Sequence, residues 1–77
     1  MSILDNDAEK VWKHYFGHKE TGIDDYKNII KKDDYKNKKS KYGWEIDYIK
    51  PKSKGGRDSL SNLRPLSIEE KNKRTNI

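Results

Sequence analysis

Residues 43–66 read GWEIDYIKPKSKGGRDSLSNLRPL, and this stretch decides the fold. Trp44, Ile46 and Tyr48 alternate with Glu45 and Asp47, which is the period of a half-buried strand. Pro51 ends that strand or confines it to an edge, because proline has no N–H to give to a ladder. Gly55-Gly56 centres a long turn, SKGGRDSLSN, and LRPL over 63–66 predicts a short second strand. SIEE over 67–70 is a capping-box pattern, with Ser67 at the N-cap and Glu70 at N3, and opens a helix toward the C-terminus. Strand, looped turn, strand and helix make a ββα unit.

Upstream, DNDAEKVWKHYFG over 5–17 predicts an amphipathic helix. Ala8, Val11, Trp12, Tyr15 and Phe16 recur at helical spacing and form one apolar stripe. Asp5, Asn6 and Asp7 offer N-caps, and Gly17 is a natural stop. His14 and His18 stand four apart, but with Gly17 ending the helix between them they read as surface histidines rather than metal ligands. TGIDDYKNIIKKDDY over 21–35 reads as an irregular hairpin or a short strand with a helical turn, and KNKKSKYG over 36–43 as an exposed basic loop. The expected architecture is α+β, one domain over 1–77: a helix and connecting segment over 1–42, bracing a ββα core over 43–77.

The chain has 77 residues, 30% hydrophobic and 40% charged, so its core must be thin and carried largely by aromatic side chains. It has no cysteine, which excludes disulfides and Cys-ligated zinc; no structural zinc is expected. No apolar run has the length of a membrane span, and a cytoplasmic protein is the default reading. Charge is uneven: residues 1–35 carry a net −2 and residues 36–77 a net +7, within a total of +5. A basic half implies a polyanion partner, nucleic acid first.

Within the ββα unit, Asp47 lies on the first strand, Asn62 at the end of the loop and Asn72 in the helix, four residues after Ile68. Carboxylate and amide oxygens converging between hairpin and helix suit a hard cation such as Mg²⁺ or Mn²⁺, which would stabilise charge on a phosphodiester. Lys50, Lys52, Lys54, Arg57 and Arg64 would hold the nucleic-acid backbone. Taken singly, each of these residues has an ordinary structural use.

In combination, YGWEIDYIKPKSKGGRDSLSNLRPL over 42–66 resembles the core of the HNH endonucleases, the ββα-metal nucleases. Their pattern runs Asp-His-Ile, Pro, a Ser-Lys-Gly-Gly-like turn, an Asp, then Asn-Leu before the helix. VWKHYFG and SKYGW also look like the N-terminal part of a small stand-alone group in that family. The resemblance implies metal-dependent cleavage of DNA. It places Asp47 and Asn62 at metal-binding positions and Gly55, Gly56 and Asp58 in the loop that shapes the site.

Two departures stand out. The helical Asn or His of the family falls in register with Lys71, a poor metal ligand, and a one-residue shift is needed to reach Asn72. More consequentially, Tyr48 occupies the position of the first His, the general base of the family. A phenol with pKa near 10 is ionised about one part in a thousand at neutral pH, which alone costs about 4 kcal/mol of barrier. A nearby metal or lysine can lower that pKa, and His14 or His18 can be imagined as substitutes. The leading expectation is thus an HNH-type DNA-binding protein with impaired catalysis. The alternative is a catalytically dead scaffold that binds a protein, as an inhibitor or accessory factor of phage or mobile-element origin.

Overall fold

A computed structural model describes residues 5–75, with side chains over 7–74. Six regular elements follow one another: α1 (Asp5–Phe16), β1 (Thr21–Ile23), β2 (Ile29–Lys31), β3 (Trp44–Tyr48), β4 (Leu63–Ser67) and α2 (Ile68–Thr75). Short 3₁₀ turns cover 32–34, 52–54 and 60–62. β1 and β2 form one antiparallel pair, and β3 and β4 a second, with Trp44 opposite Ser67, Asp47 opposite Arg64 and Tyr48 opposite Leu63. The result is the α+β layout expected, with a ββα unit built from β3, β4 and α2.

The hydrophobic stripe of α1 explains its place. Val11 and Trp12 are wholly buried and pack with Ala8 against Ile30, Trp44, Ile46 and Leu63. The rings of Trp12 and Trp44 lie 5.1 Å apart, and Phe16 and Tyr35 meet these two indoles at 4.6 and 4.8 Å respectively. Both indole N–H groups find carbonyls, Trp12 that of Lys19 and Trp44 that of Lys32, so the aromatic core leaves its polar atoms satisfied. α1 ends at Phe16, and Gly17 follows with φ 63°, separating His14 from His18 as its position predicted. Asp5, Asn6 and Asp7, expected as N-caps, lie within α1 as it is described from Asp5 onward.

The ambiguous segment over 21–35 resolves into a hairpin, β1–β2, followed by a 3₁₀ turn. Its turn is organised by buried Asp24, whose Oδ1 accepts from the backbone N–H of Tyr26 and Asn28. The expected capping box at α2 is only half formed. Ser67 Oγ accepts from Glu70 N–H at 3.4 Å, but Ser67 N–H donates to Asp24 Oδ2 at 3.0 Å rather than to Glu70. Glu70 instead accepts from Asn28 Nδ2 at 3.1 Å and pairs with Arg74. A carboxylate from the other hairpin takes the return bond, tying hairpin to ββα unit across 43 residues of chain. Pro65, buried in the middle of β4, is tolerated because β4 pairs on one side only.

Candidate functional site

Alternation along β3 sends its side chains to two faces. Trp44, Ile46 and Tyr48 turn to the core beneath α1, whereas Glu45 and Asp47 turn to the side where α2 and the Asp24–Tyr26 turn lie. Asp47 and Tyr48, consecutive in sequence, therefore serve different neighbourhoods.

The Tyr48 hydroxyl donates a short hydrogen bond to Asp58 Oδ1. That bond, with burial and the negative charge of Asp58 behind it, pushes the phenol up to about 12. The bond acts on Asp58 in the opposite sense and holds its carboxyl below the usual range, helped by Lys52. Lys52 Nζ lies 3.4 Å from Asp58 and 5.6 Å from the Tyr48 ring centre. The expectation that lysines lower the phenol's pKa is therefore overturned. The lysine pairs with the carboxylate, and the carboxylate favours the protonated phenol. At neutral pH such a group is ionised about one part in 10⁵. Its proton is pledged to Asp58, and it is a donor rather than a base. Both histidines considered as substitutes are exposed.

On the other face, Asp47 Oδ2 accepts from Arg64 Nε at 3.0 Å. The same guanidinium donates to Asp25 Oδ2 at 3.1 Å and to the Tyr26 hydroxyl at 3.3 Å. Burial works against the Arg64 cation, but the hydrogen bonds it donates to Tyr26, Asp47 and Asp25 outweigh it and move its pKa up. Arg74 stacks over the Tyr26 ring at 3.7 Å and closes this cluster. Of the five cations expected to face nucleic acid, Lys50, Lys52, Lys54 and Arg57 are exposed on the β3–β4 loop, while the Arg64 side chain is 16% exposed and turned inward.

Asn62 holds the loop that carries those four cations. Its Oδ1 accepts from Lys50 N–H at 2.8 Å, and its Nδ2 donates to the carbonyls of Lys50 at 3.1 Å and Arg57 at 2.8 Å. Two glycines let the loop close: Gly55 has φ 91°, and a Cβ on Gly56 would fall 1.8 Å from the Lys50 carbonyl oxygen. Asp58 lies in the same loop as expected, with a partner, Tyr48, that spacing alone did not indicate. On α2 it is Lys71 that reaches the strand, donating to Glu45 Oε1 at 3.3 Å and to the Ile46 carbonyl at 3.1 Å. Asn72 is exposed and lines an open groove of about 520 Å³ with Lys38, Lys39, Lys41 and Glu45.

Tested against a hard divalent cation, this arrangement does not fit. The Asp47 carboxylate is engaged by Arg64, the Asn62 amide serves the loop backbone, and a lysine ammonium stands where α2 meets β3. Among the described residues, no group of three or more acidic, histidine or cysteine side chains is placed to hold a metal ion. No described helix is long and apolar enough to cross a membrane.

Asp24, Asp25 and Tyr26 were not singled out in the sequence as part of the site. They lie about 40 residues from the positions they contact, and only the DD-Tyr turn signal marks them locally. Compared with known families, residues 31–67 match the family model of the HNH endonucleases, a span that runs from the end of β2 through β4. No curated protein and no solved structure gives a significant match.

Proposed function

We propose that this chain, built on an HNH segment, is a nucleic-acid-binding protein that holds DNA on the β3–β4 loop without cutting it efficiently. The observation that carries the reading is the Tyr48–Asp58 hydrogen bond: the position of the family's proton acceptor holds a phenol locked as a proton donor. The binding half rests on Lys50, Lys52, Lys54 and Arg57, which are exposed on one loop whose shape Asn62 and the glycine pair fix. A rigid cationic loop suits phosphates, which position a protein without specifying bases.

The test is fluorescence anisotropy of a labelled DNA duplex over a salt series. With four loop cations engaged, log K falls against log salt with a slope of roughly −3 to −4, since each phosphate neutralised contributes about −0.9. Replacing Lys50, Lys52 and Arg57 together with Gln is expected to weaken binding and to make the slope shallower by about 2 to 3. Unchanged affinity in that variant would remove the loop from the interface. Absence of any DNA binding at low salt would move the reading to a protein partner. The apolar surface for that reading is Ile23 and Ile29, cross-strand neighbours that are 61% and 54% exposed.

A further inference from the structure

The cations on the Asp47 face deserve a role of their own. Asp47 and Arg64 are directly opposite in the β3–β4 register, so their pairing is set by backbone hydrogen bonds rather than by two mobile surface chains. Each guanidinium nitrogen meets an acceptor: Asp47 through Nε, Asp25 through one terminal nitrogen and the Tyr26 hydroxyl through the other. On the same face Lys71 sits against Glu45 and the Ile46 carbonyl. The acidic side chains that face this region, Asp25, Asp47 and Glu45, are thus met by cations belonging to the fold itself, with Arg74 stacked on Tyr26 beside them.

We propose that Arg64 is the resident cation of this site and that it excludes divalent metal from Asp47. A metal entering there must displace a guanidinium that is already paired twice, and must leave it, 16% exposed, beside a doubly charged ion. Lys71 adds a second positive charge at the approach from α2. The inference is independent of nucleic-acid binding, which the β3–β4 loop performs through other residues.

Mn²⁺ binding to the full chain tests it, followed by electron paramagnetic resonance of the free ion. The chain, Asp47→Asn, Arg64→Gln, and Arg64→Gln combined with Asp47→Asn are compared, with folding checked by circular dichroism. Arg64→Gln is expected to gain a site binding Mn²⁺ at least tenfold more tightly than the unaltered chain, and the second substitution is expected to abolish that gain. The proposal is overturned if the unaltered chain binds one Mn²⁺ that Asp47→Asn removes, or if folded Arg64→Gln binds no better than the unaltered chain. Should Arg64→Gln fail to fold, the unaltered chain decides. In its ¹⁵N-labelled form, added Mn²⁺ is expected to broaden amide signals near the exposed carboxylates Glu9 and Asp33 before those of Asp47 and Arg64, and selective early broadening at Asp47 would overturn the proposal.

Discussion

Tyr48 and Asp58 set the chemistry at the scale of single residues, and their shared proton makes a pH prediction. The pair raises the folded-state pKa of the phenol from 10.0 to about 12 and lowers that of the carboxyl from 3.8. The phenol's share of the stabilisation is therefore present below pH 10 and is lost as pH climbs through about 12. The carboxyl's share is present above the ordinary aspartate range and is lost as pH falls through the depressed Asp58 value. Tyr48→Phe is accordingly expected to lower stability by a constant amount between about pH 5 and 9, with the difference closing toward acid, as measured by urea unfolding across pH. A difference that grows toward acid would contradict the shared proton. Legibility at this scale was divided. The alternation put Tyr48 on the strand and the family resemblance marked its position, but its partner was not legible. Asp58 stands ten residues away across a loop whose course no local propensity determines.

At the scale of elements, the β3–β4 loop is a basic platform closed by one side chain. Removing the Asn62 amide leaves the N–H and carbonyl of Lys50 and the carbonyl of Arg57 without those bonds. Asn62→Ala is expected to cost about 1–3 kcal/mol and to raise the hydrogen-exchange rate of the Lys50 amide well above that of the Ile46 amide in the strand. Equal rates in the two forms would deny the clamp. The elements themselves were largely written in the sequence. The alternation of Trp44 to Tyr48 gave β3, LRPL gave β4, and the stripe from Ala8 to Phe16 gave α1 its buried face. What the pattern missed was long-range polar traffic. The capping box was half taken over by Asp24, because a carboxylate from a neighbouring hairpin competes on equal terms with one three residues away. Arg64 looked like a surface cation until the register set it opposite Asp47 and the hairpin brought Asp25 and Tyr26 against it.

At the scale of the whole molecule, a thin aromatic core carries a surface dominated by charge. Trp12 and Trp44 are the largest wholly buried side chains, and they join α1 to the ββα unit. Trp12→Ala is expected to cost about 3–5 kcal/mol, which is comparable with the entire stability of a domain this small. Loss of the cooperative thermal transition, followed by circular dichroism, is the expected result, and a folded variant would show that α1 does not brace the hairpin. The same economy explains the division of charge. Cations near the core are spent on neighbouring carboxylates, as Arg64 and Lys71 are, while Lys50, Lys54 and Arg57 of the loop are exposed and Lys52 pairs with Asp58. Charge is thereby balanced around Asp47 and concentrated on the loop.

The most direct measurement is a gel of supercoiled plasmid incubated with the protein in Mg²⁺ or Mn²⁺, with and without chelator and at two salt concentrations. Tyr48→His is run beside the unaltered chain. The plasmid is expected to be retarded at low salt, released at high salt and recovered supercoiled in both cases. The histidine variant is expected to leave it intact as well, since Asp47 remains under Arg64. Nicked or linear plasmid from the unaltered chain, abolished by chelator, would contradict the account at its centre, because a phenol bound to Asp58 would then be part of a working nuclease.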